Sequence, residues 1–234
     1  MSLVWTILTA AGLALICFLL AVIFRSGGWR RYPFLAVYLS LALGYQVIEL
    51  VIYSRVSNAD ARIYAMTYWT GDIVLHGLIL LLVLFLIREA LVGNRGPDAT
   101  TLMIVAPVVA FVAVTLYLLY HPLESGHGWI FPLSRNLSFC EEILNFVLWT
   151  ILIRNRTRET VLLLVSAGLG IQVTGEVIGR TIRLYARDPS ISWLPDAIVL
   201  LCETGALFVW YRAFQAYGRK RSESGSESRT SPAL

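Results

Sequence analysis

Lysine is nearly missing from this chain, which has a single one, Lys220, near its C-terminus. That excludes a retinal protein, whose Schiff base needs a lysine inside a helix. Cysteine is scarce as well: Cys17, Cys140 and Cys202 lie inside apolar runs without CxxC or paired spacing. A disulfide framework and a cysteine zinc site are therefore excluded, and the three read as small packing residues. Of the histidines only His76 falls in an apolar run, His121 and His127 lie between runs, and no HExxH or HxxxH pair occurs. Charged residues make up only 15% of the chain. Its arginines are scattered between apolar segments and form no basic face for nucleic acid; loop charge that sets membrane topology is the better account.

Apolar residues fill the space that charge leaves. They are 57% of the chain, against about 45 to 50% in ordinary soluble domains, and the mean hydropathy is +0.70. Runs long enough for a bilayer crossing, about 20 residues each, recur at about 4–24, 33–53, 66–87, 101–120, 129–153, 160–181 and 191–213. Helices are the open-chain structures that satisfy their own backbone in lipid. The expectation is an all-α membrane protein of seven transmembrane helices over residues 1–214, followed by a disordered cytoplasmic tail at 215–234. The first run has no basic segment before it and Arg25, Arg30 and Arg31 after it, so it reads as a retained helix and not a cleaved signal.

Orientation follows from arginine. The segments after runs one, three and five, with the tail, hold 13 basic residues, and the opposite side holds five: Arg55, Arg62, Arg180, Arg183 and Arg187. The positive-inside rule puts the N-terminus out and the C-terminus in. With arginine so favoured over lysine, as in GC-rich coding sequences, the expected location is a bacterial cytoplasmic membrane.

The chain also matches itself at a shift of 121 to 126 residues. Leu43-Gly44-Tyr45-Gln46-Val47 with Val51-Ile52 is answered by Leu169-Gly170-Ile171-Gln172-Val173 with Val177-Ile178. Trp69-x-x-Asp72 with Arg88 sixteen positions on is answered by Trp193-x-x-Asp196 with Arg212 sixteen on. Chance similarity of apolar helices falls on Leu, Val and Ile, whereas this one also falls on Gln, Trp, Asp and Arg in one order. A duplication is expected, with repeat 1 at about 4–88, a linker helix at about 101–120 and repeat 2 at about 129–213. Such a 3+1+3 parallel repeat resembles the architecture of SWEET-type sugar transporters. The Pro-Gln loop motif of that family is missing, so no functional residue is carried over from it.

Ionisable groups inside hydrocarbon are costly and mark functional sites by default. The candidates are Glu49, Asp72, His76, Arg135, Glu141, Glu142, Gln172, Glu176, Asp196 and Glu203. Spacing puts them on stripes: Asp72 and His76 four apart; Gln172, Glu176 and Arg180 at successive turns; Arg135, Ser138, Glu142 and Asn145 at 3-4-3; Asp196 and Glu203 seven apart. At about 1.5 Å per residue, Glu49, Asp72, Arg135, Glu176 and Asp196 lie roughly 7 to 9 Å outward of their span centres, and His76, Glu141, Glu142 and Glu203 near the midplane. The expected arrangement is a polar cavity entered from outside, with Glu142 and Glu203 as its deepest acids. Seven intramembrane carboxylates face two arginines and one histidine; the surplus must be protonated, hydrated or bound to a cation.

These features suit a transporter of a small polar or cationic solute first. A seven-helix sensor binding a ligand in the same cavity is the alternative, and a structural membrane subunit a further one. An intramembrane enzyme is disfavoured by the poor ligand set around His76, which leaves the metal question open. No cofactor is called for; the lipid bilayer is the expected partner, and protein partners are not specified by the sequence.

Overall fold

The computed structural model describes the backbone of residues 3–55, 61–92, 130–155, 159–185 and 193–230, and the side chains of 10–52, 67–91, 136–155, 159–183 and 193–219. All regular structure among them is helical: α1 (Leu3–Ser26), α2 (Pro33–Arg55), α3 (Ala61–Val92), α4 (Ile130–Arg154), α5 (Thr160–Tyr185) and α6 (Leu194–Thr230), with one 3-10 turn at Gly28–Arg30. These six match the expected runs one to three and five to seven; run four, 101–120, lies outside the described residues.

Five stretches are long and apolar enough to cross a membrane: Pro33–Ile52, Thr67–Leu91, Asn136–Arg154, Thr160–Arg183 and Leu194–Arg219. A shorter apolar stretch, Ala10–Ser26, lies in α1. The chain is a multi-pass membrane protein.

Local chemistry sets the ends. Gly27 takes a left-handed φ of 73°, cheap only without a Cβ, and turns the chain out of α1. Pro33 opens α2, where its fixed φ suits a first helical position and its missing N–H is not needed. In the tail, expected to be disordered over 215–234, the described backbone is helical as far as Thr230, and 231–234 lie outside the described residues. A helix already nucleated in the membrane elongates at the cost of ordering one residue per hydrogen bond, so a polar sequence is enough to prolong it.

The helices pack as a ring in chain order, α1 through α6, closed by α1 against α6; α3 also touches α5 across the middle. Their directions are readable from contacts. His76 midway along α3 meets Glu141 midway along α4, and fourteen residues further on in each helix the Asn155 amide just after α4 donates to Ala90 O near the end of α3 at 3.3 Å. Thus α3 and α4 run the same way.

Polar and apolar residues divide between the two halves of the ring. Toward the end that carries Arg31, it is filled by Ile16, Leu19, Leu39, Leu82, Leu86, Leu148, Val165 and Trp210, all buried. That end is tied shut by polar contacts. Arg31 pairs with Glu159 at 2.8 Å, and the Tyr32 hydroxyl donates to the same carboxylate at 3.4 Å. Burial first, then the neighbouring Glu159 charge, hold the Tyr32 phenol above its ordinary value, so it remains a donor.

Glycines let α5 and α6 approach closely, as Gly175-x-x-x-Gly179 and Gly168 suggest in the sequence. A Cβ at Gly179 would lie 2.5 Å from Val199 Cγ2 and 3.0 Å from the Pro195 carbonyl, and Gly168 and Gly175 lie against Trp210 and Cys202. Small residues at such contacts are how membrane helices gain packing where lipid offers no hydrophobic drive.

Candidate functional site

The other half of the ring, toward the end that carries Arg183, is polar. Its centre is His76 on α3, only 3% exposed. Its Nδ1 lies 2.9 and 3.1 Å from the two carboxylate oxygens of Glu141 on α4, a residue with no exposed surface. Its Nε2 faces Asp72 Oδ1 at 3.6 Å, Glu176 Oε2 on α5 at 3.3 Å and Ser138 Oγ on α4 at 3.4 Å. Arg180 on α5 approaches the same nitrogen at 2.6 Å and donates to both oxygens of Asp72 at 2.9 and 3.2 Å. Three helix turns supply this cluster, because 72 and 76, 176 and 180, and 138 and 141 are each one turn apart.

The cluster has a partner for either protonation state of the imidazole. When Nε2 accepts from Arg180, the ring is neutral and Nδ1–H donates to Glu141. When Nε2 carries a proton, the Glu176 carboxylate is within reach to accept it and Arg180 keeps Asp72. A buried proton-accepting group that loses no partner on changing state is suited to relaying a proton.

Beside the cluster, a cavity of 210 Å³ runs between α2, α3, α5 and α6. Tyr38, Ile79 and Gln172 form its floor, next to the apolar half; His76, Glu176 and Glu203 line its middle; Glu49, Tyr68 and Arg183 stand at its mouth. Below the floor, Tyr38 meets Trp210 edge to face, with ring centroids 6.3 Å apart. The Gln172 amide nitrogen donates to the Tyr38 hydroxyl and to Glu176 Oε1. The Gln46 amide donates to Glu203 Oε1 at 3.5 Å.

Eight of the ten residues singled out in the sequence have a clear place here. Glu49, Asp72, His76, Gln172, Glu176 and Glu203 line the cavity, and Glu141 sits behind it, against His76. Asp196 is near the mouth, paired with the half-exposed Arg183. Arg135 is on α4, but its side chain lies outside the described residues. Glu142 is off the cavity, accepting from exposed Thr174 at 3.1 Å. The stripe on α4 is therefore Ser138, Glu141 and Asn145, all buried, and not Ser138, Glu142 and Asn145. Both spacings fit a helix of 3.6 residues per turn, and the difference of one position turns the carboxylate by about 100°.

Sequence reasoning missed the tyrosines. Tyr38, Tyr45 and Glu49 share one face of α2 at spacings of seven and four, but tyrosine counts as apolar in a hydropathy reading, so the face looked no different from its neighbours. Arg180 was read only as a neutralising charge, whereas it bridges Asp72 and His76.

A larger recess of 670 Å³ lies at the opposite end, between α1 and α6, near Arg25 and Arg30. Its arginines are exposed and no buried charge is among its described lining residues, so the smaller cavity is the candidate site. Among the described residues no three His, Cys, Asp or Glu side chains are grouped to hold a metal ion. Comparison with protein families, curated proteins and solved structures finds no match for this chain.

Proposed function

We propose that the chain is a membrane carrier for a small polar or cationic solute, bound in the intramembrane cavity and moved with the help of its carboxylates and His76. The observation that carries this reading is a 210 Å³ cavity lined by Glu176 and Glu203 at the level where lipid would otherwise surround the helices. Ionisable groups at such a depth cost several kcal/mol unless function or pairing retains them. Closure by apolar side chains on one side and a polar mouth on the other is the form expected of one state of an alternating carrier.

The topology of this proposal is seven crossings, N-terminus out and C-terminus in, in a 3+1+3 parallel repeat of a bacterial cytoplasmic membrane. Support for the repeat comes from the two glutamines at its matched positions. Gln46 reaches Glu203 in the second half, and Gln172 reaches Tyr38 in the first. A sensor is the alternative reading, favoured by the continuity of α6 from Glu203 at the cavity to Thr230.

Uptake into proteoliposomes tests the carrier. Glu176→Gln and Glu203→Gln should each lower flux at least tenfold with normal insertion, while Glu142→Gln, off the cavity, should transport as wild type. Ligand binding without any flux would sink the carrier and leave the sensor; equal effects of Glu142→Gln and Glu203→Gln would remove the cavity from the mechanism.

A further inference from the structure

We infer that the cavity takes an organic cation bearing a primary ammonium group. This rests on the cavity being the ligand site proposed above, and narrows the class of ligand. The argument begins with charge. Asp72, Glu141, Glu176 and Glu203 surround one guanidinium, Arg180, and one imidazole, His76. Asp72 is matched by Arg180, and one imidazole, His76, is shared between Glu141 and Glu176, so four carboxylates face two cations and Glu203 has no ion pair among the described residues. An anionic ligand would add to this surplus, and a neutral one would leave it uncompensated.

Hydrogen bonding points the same way. Gln172 is only 4% exposed. Its nitrogen is used on Tyr38 and Glu176, and its carbonyl oxygen has no partner among the described residues. The amide cannot be turned over to correct this, because its oxygen would then face the Glu176 carboxylate. Among the described residues Gln46 Oε1 is buried without a hydrogen-bond partner, and Glu176 Oε2 has no hydrogen bond and faces only the His76 Nε2 at 3.3 Å. Among the described residues Glu203 has only the long hydrogen bond from Gln46. The donors Arg180, Arg183 and Tyr45 in the wall are already held by Asp72, Asp196 and the Tyr68 carbonyl, and buried polar groups left unpaired each cost about 1 to 3 kcal/mol. A primary ammonium supplies three N–H donors and the missing positive charge together.

Two other cations fit less well. A metal ion needs several oxygen or nitrogen ligands converging at one point, and among the described residues no such group of acidic, histidine or cysteine side chains exists. A quaternary ammonium has charge but no N–H, so it would leave the orphaned carbonyls unpaired. Size agrees with a small organic molecule: at about 30 Å³ per water in the liquid, the cavity holds roughly seven waters' worth of volume. Tyr38, Tyr45 and Tyr68 in its lining can cover the alkyl part of such a ligand and add cation–π attraction.

Titration calorimetry on the full chain in nanodiscs decides the matter, with ethanolamine, 1,4-diaminobutane, choline, glycerol, lactate, sodium and calcium as probes. Saturable binding of at least one primary amine, tighter than choline by about tenfold or more, is the expected result. Glu203→Gln and Gln172→Leu should each weaken that binding about tenfold or more, and Glu203→Asp should retain part of it, which separates loss of charge from loss of fold. The inference is overturned if no primary amine saturates at millimolar concentration, if choline or glycerol binds as tightly, or if calcium binds more tightly. Flux of lactate or glycerol, without amine binding, would keep the carrier and discard the ammonium. Amine binding without flux would do the reverse.

Discussion

At the scale of single residues, the fate of Glu141 shows what a buried charge demands. It has no exposed surface and its one polar partner among the described residues is His76. Removing one member of a buried pair costs about 3 to 5 kcal/mol, since the survivor is left charged without compensation. His76→Leu should therefore destabilise the detergent-solubilised protein by about that amount. Glu141→Leu should cost less, about 1 to 3 kcal/mol, because His76 keeps Ser138 and Arg180. The double variant should fall short of the sum of the two by at least about 1 kcal/mol, the mark of two groups in contact. Denaturation in graded SDS measures all three; an additive double variant would mean that the histidine does not hold the glutamate. The sequence could not distinguish Glu141 from Glu142, since neighbouring positions with the same side chain both satisfy a 3-4 spacing. Only the packing of α3 against α4 selects one of them.

At the scale of helices, hydropathy located each described element to within a few residues at most ends, because length and apolarity are the properties a bilayer selects. It could not report how tightly two helices pack. Gly44 and Gly170 hold matched positions in the internal repeat, yet a Cβ on Gly44 would meet nothing within 4 Å, whereas one on Gly170 would lie 2.9 Å from Asn145 Nδ2. Residue type is repeated there and surroundings are not. The pair formed by α5 and α6 makes the strongest test. In Gly179→Ala the new methyl meets a backbone carbonyl that has no room to give, and overpacking of this kind costs about 1 to 3 kcal/mol. In Gly44→Ala the methyl enters open space and the helix gains up to about 1 kcal/mol of propensity. Thermal midpoints of the two variants in one detergent should move in opposite directions, or Gly44→Ala should not move at all; equal losses would show that α5 and α6 are not in close contact at Gly179.

For the whole molecule, the decisive feature is that α3 and α4 run in the same direction, with His76 beside Glu141 midway along them and Ala90 beside Asn155 at their C-terminal ends. Two parallel neighbours cannot be joined on one side of a bilayer, and the proposed seven-crossing topology meets this with a crossing between Val92 at the end of α3 and Ile130 at the start of α4. The run at 101–120 has the residues for it, from Leu102 through Val105 and Val109 to Leu119, and about 20 residues at about 1.5 Å each span the roughly 30 Å of hydrocarbon. The parallel course puts the ends of α3 and α4, which carry Arg88 and Arg154, on one side, as the expected division of 13 basic residues against five requires. Single cysteines placed at 97, 124 and 222, in a chain whose own three cysteines are replaced by serine, should separate by side. Positions 97 and 222 should react with a membrane-impermeant maleimide only after the membrane is opened, and 124 should react in intact cells. Labelling of 97 and 124 from the same side would mean that 101–120 does not cross. The parallel course of α3 and α4 would then need another explanation, and every assignment of the cavity mouth to the outer face would fall with it.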